Sequence, residues 1–185
     1  MRHLLRMALL LIILVGGCGG EPGLLRVCWV GGTADYSGDC EDLMWNRSLI
    51  PLKVYIDLPS SFSDSVRKGY EMWNDEVGPL FTFVGPGAGP RVHVYQGSAT
   101  GTTGNQAMHH DGVSGTGATS AIHEVRQPGN LFALFHDAAH EAGHVLGLAH
   151  DDSGLMVPTW TYSGNIEFVL PSDSDAELLY DLYLR

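Results

Sequence analysis

The sequence is poor in basic residues, and this scarcity limits what the protein can bind. Ten Lys and Arg stand against 21 Asp and Glu in 185 residues, which gives a formal net charge of −11 at pH 7. Proteins that bind nucleic acid attract its phosphates with clustered Lys and Arg, and no such cluster follows Arg6. We therefore expect no nucleic-acid partner, and the acidic surplus is typical of a soluble, exported domain.

Long apolar runs are absent as well. Residues 7–15 are apolar, but a helix that spans a membrane needs about 20 such residues. Arg2 and Arg6 precede this run, and small residues follow it, which is the order of an export signal. Residues 15–18, Val-Gly-Gly-Cys, resemble the bacterial lipobox, which implies cleavage after residue 17 and a lipid on the sulfur of Cys18.

We therefore expect a signal peptide at residues 1–17 and a membrane contact through a lipid anchor at Cys18. The protein is then exported and anchored to a bacterial cell envelope. The alternative is an ordinary signal peptide and a secreted protein. Gly and Pro between residues 19 and 23 predict a flexible tether behind the anchor.

Cysteine is scarce too, with three residues in the chain. Without Cys18 an even pair is left, Cys28 and Cys40, and such a pair in an exported protein is most simply a disulfide. Neither has the Cys-x-x-Cys spacing of a structural zinc site. Residues 24–39 are rich in turn formers, so we expect a tether and irregular lead at 18–48 and the folded domain at 49–185.

The rest of the chain has the apolar content and the length of one globular domain. Alternating apolar residues predict a strand at 52–58, and further strands are expected at 80–84, 91–96 and 118–126. The last of these is predicted at a sheet edge. Residues 97–117 are mostly Gly, Ser and Thr, which favours a long surface loop.

Apolar residues at three- and four-residue spacing predict three helices. The first begins near a capping Ser61 or Ser63 and ends before residues 78–79, Gly-Pro. The second covers 131–146 and has Asn130 as its predicted cap. The third covers 174–184, capped by Ser172 or Asp173, with its inward face formed by Ala176, Leu179, Tyr180 and Tyr183.

The chemistry is concentrated at residues 140–150. His140 and His144 lie one helical turn apart, so both rings can bind one metal ion. Gly147 can adopt the left-handed conformation that ends a helix and turns the chain, bringing His150 to the same ion. Three protein ligands leave one tetrahedral position of Zn²⁺ open for water, which is typical of a catalytic site. Glu141 is then placed to take a proton from that water.

This stretch is similar to the metzincin zinc peptidases, whose signature His-Glu-x-x-His-x-x-Gly-x-x-His it matches at every fixed position. Met156 lies where that family has its methionine turn. The resemblance implies an α/β (α+β) fold: a twisted mixed sheet with an active-site helix, a second packed helix and a C-terminal helix. It also implies one catalytic zinc ion, a monomer, and hydrolysis of peptide bonds in extracellular or envelope proteins.

The resemblance also suggests where substrate lies. In the family an extended substrate adds to the edge strand, here expected at 118–126. The segment after the methionine turn forms the wall of the pocket for the residue that follows the cleaved bond. The corresponding side chains in this chain are apolar, aromatic or uncharged: Val157, Pro158, Thr159, Trp160 and Tyr162.

Within the metzincins the chain looks closest to the matrixin branch. The strand-helix-strand-strand order, residues 130–132 and 155–158, and a closing helix with residues 179–180 carry this likeness. The matrixin cysteine switch is not found, and Asp151 after the third histidine is more like the adamalysin branch, so the subfamily stays open. The extra structural zinc and calcium sites of matrixins are not carried over.

Other histidines allow two interpretations each. His109, His110 and His123 could hold a second metal ion, but solvated loop histidines are expected. His136 could contact substrate, although a polar contact at the helix edge is the expected role. The nearest acidic candidates to hold the ring nitrogens of the metal-binding histidines are Asp137, Asp151 and Asp152.

Two rival functions remain open at this point. One is a surface lipoprotein that binds zinc but no longer cleaves a substrate, against which the presence of Glu141 argues. The other is a zinc hydrolase that acts on a non-peptide amide, since the same metal chemistry permits it.

Overall fold

The computed structural model describes residues 23–31, 33–37, 41–97, 106–114, 117–126, 131–158 and 169–185. The segment predicted to be an irregular lead contains three short strands instead: Arg26–Val30 (β1), Thr33–Asp35 (β2) and Glu41–Asp42 (β3). They form an antiparallel sheet in the order β2-β1-β3. Val27 and Leu43 at this sheet are fully buried in the same core as the rest of the protein, although they precede residue 49.

The main sheet has five strands and confirms the predicted α/β class. Its members are Leu52–Asp57 (β4), Phe81–Phe83 (β5), Val92–Gln96 (β6), Gln106–Ser114 (β7) and Gly117–Val125 (β8). The spatial order is β5-β4-β6-β8-β7, with β7 antiparallel to its neighbour and the other pairs parallel. The mixed sheet therefore matches the architecture that the metzincin resemblance implied.

The edge of this sheet differs from the prediction. Residues 118–126 were expected at the edge, but β8 lies between β6 and β7. Residues 106–114 were expected in a loop, yet they form the edge strand β7. Gln106 and His110 of β7 are buried, and each has a hydrogen-bond partner on α2. The Gln106 amide donates to the Leu134 carbonyl, and the His110 ring donates to the Val145 carbonyl.

Three helices accompany the sheet, close to where they were predicted: Ser60–Glu76 (α1), Leu131–Val145 (α2) and Asp173–Tyr183 (α3). The first two pack closely, since a Cβ on Gly69 of α1 would lie 2.7 Å from the Ala139 nitrogen of α2. The Trp73 indole also donates to the Ala139 carbonyl at 2.8 Å. These contacts pack α1 tightly against α2.

The helix ends and faces agree with prediction in part. Pro59 is the N-cap of α1 and no side chain caps it, so the expected caps Ser61 and Ser63 are wrong. Ser172, one of the two predicted caps, caps α3, with its hydroxyl accepting from the Asp175 amide. Leu179 and Tyr183 of α3 are buried and Ala176 is half-buried, whereas Tyr180 is 47% exposed and does not face inward. Asn130 lies outside the described residues.

None of the helices in the described ranges is both long enough and apolar enough to cross a bilayer. The predicted signal peptide and Cys18 lie outside the described residues.

Candidate metal centre

The helix α2 carries the first two histidines of the motif on one face. His140 and His144 are four residues apart, and their ring centroids lie 4.6 Å from each other. Each residue is 8% exposed, so both are buried but not fully closed off from solvent. This is the arrangement that a spacing of one helical turn predicts.

Gly147 ends the helix and brings the third histidine to the same point. Its φ is +99°, in the region that favours glycine, and its amide donates to the His144 carbonyl at 2.9 Å. The chain turns there and places His150 Nε2 3.3 Å from His140 Nε2 and 3.0 Å from His144 Nε2. The sequence therefore predicted the convergence of these three rings correctly.

The backbone fixes which nitrogen of each buried ring points to the centre. His140 Nδ1 donates to the Leu155 carbonyl and His144 Nδ1 to the Leu148 carbonyl, both at 2.8 Å. The two Nε2 atoms therefore carry lone pairs and face His150. These orienting partners are main-chain carbonyls and not the carboxylates that sequence proximity suggested.

The donor set fits zinc. Two nitrogens at about 2.0–2.1 Å from one Zn²⁺ and at a tetrahedral angle lie about 3.3 Å apart, close to the two measured separations. Burial lowers the pKa of all three rings, that of His144 to about 3, which keeps the imidazoles neutral as metal binding requires. In the described ranges, this is the group of His, Cys, Asp or Glu side chains with metal-binding geometry.

The residues predicted to form the methionine turn, Gly154–Met156, form one short helical turn after the third histidine. Met156 is fully buried, and a Cβ on Gly143 of α2 would collide with its sulfur. Its carbonyl accepts the Asp151 amide at 3.1 Å, and the Asp151 carboxylate accepts the Ser153 amide at 3.0 Å. Asp151 therefore braces the loop that connects the third histidine to the turn.

Glu141 follows the first histidine on α2 and is half-buried. Burial raises the pKa of its carboxyl to about 7, the nearby charge of Asp137 adds to the rise, and Arg126 opposes it. A carboxyl with a pKa near neutrality can both accept and return a proton at physiological pH. The chain thus has a candidate acid-base group in the residue that follows the first histidine of the convergent group.

The other histidines differ from the solvated state that was expected. His110 and His123 are fully buried and belong to strands β7 and β8, whereas His109 is half-buried. The His123 ring lies between the Tyr70 hydroxyl and the Gln106 amide oxygen. The burial of these two rings could not be predicted from hydropathy, because their hydrogen-bond partners come from distant parts of the chain.

Two further sequence predictions can be compared with the structure in part. His136 is buried and its Nε2 accepts the Val169 amide at 3.3 Å, which agrees with a polar contact rather than a substrate contact. Cys28 is disulfide-bonded, but its predicted partner Cys40 lies outside the described residues. Val157 is half-buried and Pro158 exposed after the methionine turn; the other pocket residues, Thr159, Trp160 and Tyr162, also lie outside the described residues.

The turn at Gly147 gives a direct prediction. A Cβ there would require strained backbone and would lie 2.5 Å from the Leu43 carbonyl oxygen. We expect Gly147→Ala to cost at least about 2 kcal/mol of unfolding free energy and to weaken zinc binding through displacement of His150. Thermal unfolding and zinc titration measure the two effects.

Gly31→Ala is the matched control for this prediction. Gly31 has a φ of +62°, but no atom lies within 4 Å of the position that a Cβ would take, so the variant carries the backbone strain without the collision. Equal losses of stability and unchanged zinc affinity in both variants would contradict the role assigned to Gly147.

Comparison with known proteins agrees with this geometry. The Matrixin family model matches residues 102–184. Matrix metalloproteinase-20 of Homo sapiens is 28% identical over 172 residues, covering 84% of this chain and 35% of that protein. Interstitial collagenase B of Mus musculus is 27% identical over 184 residues, covering 88% and 39%, and Matrix metalloproteinase-18 of Xenopus laevis is 25% identical over 180 residues, covering 83% and 36%.

These similarities favour the matrixin branch among those that the sequence left open. The chain is similar to matrixins over these residues. The family that it resembles is one of metallopeptidases. The chain spans less than two fifths of the length of the three relatives, so the resemblance concerns only part of each of those proteins.

Proposed function

We propose that the protein is a zinc-dependent metalloendopeptidase. The observation that carries this proposal is the convergence of three histidine nitrogens, with two of the rings oriented by main-chain carbonyls. His140, His144 and His150 would hold the ion. When bound, zinc supplies a Lewis acid that lowers the pKa of a water in its open position towards about 7.

Glu141 supplies the acid-base chemistry of the proposed reaction. Its carboxylate takes a proton from the attacking water, and the resulting carboxylic acid delivers that proton to the departing amine nitrogen. A pKa raised by burial suits both steps, because the group changes its protonation state near neutral pH. The similarity to metallopeptidases supports this assignment.

Strand β7 is the edge on which a peptide substrate would dock. It pairs with β8 on one side, α2 and the short strand β2 also contact it, and the Tyr36 hydroxyl accepts its His110 backbone amide. An extended peptide can add to such an edge through backbone hydrogen bonds, which replaces residues 118–126 as the docking strand. Docking on β7 would bring the peptide close to α2, the helix that carries two of the three histidines.

A peptide library separates this proposal from its two rivals. The full-length chain is incubated with a mixed peptide library, with and without a zinc chelator, and the products are identified by mass spectrometry. We expect internal peptide-bond cleavage that the chelator stops and added zinc restores. No cleavage by zinc-loaded protein would favour the silent zinc-binding lipoprotein, and cleavage of amide compounds alone would favour the non-peptide hydrolase.

The segment after the methionine turn leads to a prediction of specificity. Val157, Pro158, Thr159, Trp160 and Tyr162 offer apolar or uncharged groups to the residue that follows the cleaved bond. We expect Leu, Met or Phe at that position, since a charged side chain would lose its water without gaining a partner. The sites cut in the library measure this preference, and dominance of Asp, Glu, Lys or Arg would mean that other residues build the pocket.

We also propose that the protein is exported and anchored through a lipid on Cys18. The support is the order of charged, apolar and small residues before this cysteine. Cys18→Ser should release the protein from membranes or block its processing, because the acyl chains supply the anchoring energy. Cell fractionation tests it; Cys28→Ser serves as the control for loss of a cysteine elsewhere, and equal membrane association of Cys18→Ser and wild type would refute the anchor.

A further inference from the structure

His110 connects the edge strand β7 to the metal-binding end of α2. Its side chain is fully buried, and its Nε2 lies 3.0 Å from the carbonyl oxygen of Val145, the residue after the second histidine of the motif. Its Nδ1 lies 2.7 Å from the Tyr36 hydroxyl. The same hydroxyl accepts the backbone amide of His110 at 2.9 Å.

The chemistry of the partners fixes the direction of each hydrogen bond. The Val145 carbonyl can only accept, so Nε2 of His110 carries a proton and donates it. In the neutral ring Nδ1 is then an acceptor, and the single hydroxyl proton of Tyr36 fills that role. Every polar atom in this group is satisfied by a neutral imidazole in one tautomer, and the side chain is held in one orientation.

The Val145 carbonyl also accepts a hydrogen bond from a residue outside β7. The Trp45 indole donates to the Val145 oxygen at 2.6 Å, but Trp45 is not part of β7. On β7 itself, Gln106 donates to the Leu134 carbonyl at 3.1 Å near the start of α2. Among the described residues, the strand is therefore joined to α2 by side-chain hydrogen bonds at two places, and His110 forms the one next to His144 in the chain.

We propose that His110, held by Tyr36, is a positioning residue that sets the separation between the docking strand β7 and the metal-binding end of α2. This inference rests on the proposed peptidase function. A peptide lying on β7 is cleaved only if its carbonyl carbon reaches the activated water at about 3–3.5 Å, and a displacement of about 1 Å can cost about a hundredfold in rate. The contact between His110 and Val145 controls that displacement.

His110→Phe tests the role because it keeps a ring but removes the donor. We expect kcat for a quenched fluorescent peptide chosen from the library to fall about tenfold to a hundredfold, with KM within about twofold, because docking on β7 is retained while the reacting atoms are misplaced. His110→Gln should recover part of kcat, since its amide can donate to the Val145 carbonyl. Zinc content should stay at one ion per chain.

Trp45→Phe is the matched control because it removes the other donor to the same carbonyl. It should lose a similar amount of thermal stability and keep the kcat of the wild type. Equal kcat in His110→Phe and Trp45→Phe would overturn the positioning role and leave the proposed function intact. Should His110→Phe fail to fold, Tyr36→Phe carries the same test, since Tyr36 is 37% exposed, and an unchanged kcat in that variant would equally overturn it.

The tautomer of His110 provides a readout that does not need catalysis. In the full-length protein with ¹⁵N-labelled histidine, NMR should show a proton on Nε2 and none on Nδ1 of His110, and Tyr36→Phe should shift the Nδ1 resonance. A proton on Nδ1 would overturn the inference. A wild type that shows the expected tautomer and cleaves no peptide would instead overturn the proposed function and, with it, the catalytic part of this role.

Discussion

Glu141→Gln should reduce peptide hydrolysis by about 10²- to 10⁴-fold while the zinc content stays at that of the wild type. The amide has nearly the shape of the carboxylate but cannot accept the proton of the attacking water. Glu141 is half-buried and is not one of the three side chains that converge, so its replacement should leave the metal in place. Steady-state kinetics and zinc analysis of the same preparation measure both effects.

Glu177→Gln is the control for this substitution, since Glu177 lies on α3, away from the convergent rings. It should match the wild type in both measurements. The assignment of Glu141 as the base would be wrong if Glu141→Gln cleaved peptides at a rate near that of the wild type, or if it lost zinc as readily as a histidine variant.

His144→Ala should abolish both zinc binding and the stabilisation that zinc gives. A ligand present at 100 times its dissociation constant stabilises the native state by about 2.7 kcal/mol. In a chain of this size that corresponds to a rise in Tm of roughly 5–10 °C. The wild type should show this rise on addition of zinc, and His144→Ala should show almost none, because two rings remain where three converged.

His93→Ala separates loss of a metal ligand from loss of any histidine. His93 lies on β6, where it stacks on Tyr55, and it does not belong to the convergent group. Differential scanning calorimetry with and without zinc should show the full rise in Tm for His93→Ala. A full rise in His144→Ala as well would mean that zinc binds elsewhere in the protein.

The convergence of the three histidines could be predicted from the sequence because its geometry is local. The spacing of His140 and His144 follows from the helical repeat, and Gly147 marks the turn by its own conformational freedom. The positive φ of this glycine and the convergence of His150 agree with that reasoning. The cap at Ser172 is another local feature that the sequence predicted correctly.

The edge strand and the buried histidines could not be predicted in the same way. Residues 106–114 look polar, and a polar segment is buried only when distant groups satisfy it. Here the partners of Gln106 and His110 are carbonyls of α2, and Tyr36 comes from the amino-terminal segment. Single-sequence hydropathy contains no information about such partners.

Tyr180 is a residue for which the sequence predicted burial and the structure shows exposure. Its position in the repeat of α3 predicted burial, but Asp175 is buried on that helix instead, where it bonds to Ser172. A periodic pattern indicates that one face is covered, while the exact boundary of that face depends on what packs against it.

The most direct measurement of the central claim is X-ray absorption spectroscopy at the zinc edge of the full-length, zinc-loaded protein. Three histidine ligands and one water predict a shell of nitrogen and oxygen at about 2.0–2.1 Å with imidazole scattering from three rings and no sulfur. The same spectrum should change little in Glu141→Gln. Sulfur at about 2.3 Å, or a fourth protein nitrogen in place of the water, would contradict the account, because the position required for hydrolysis would be closed.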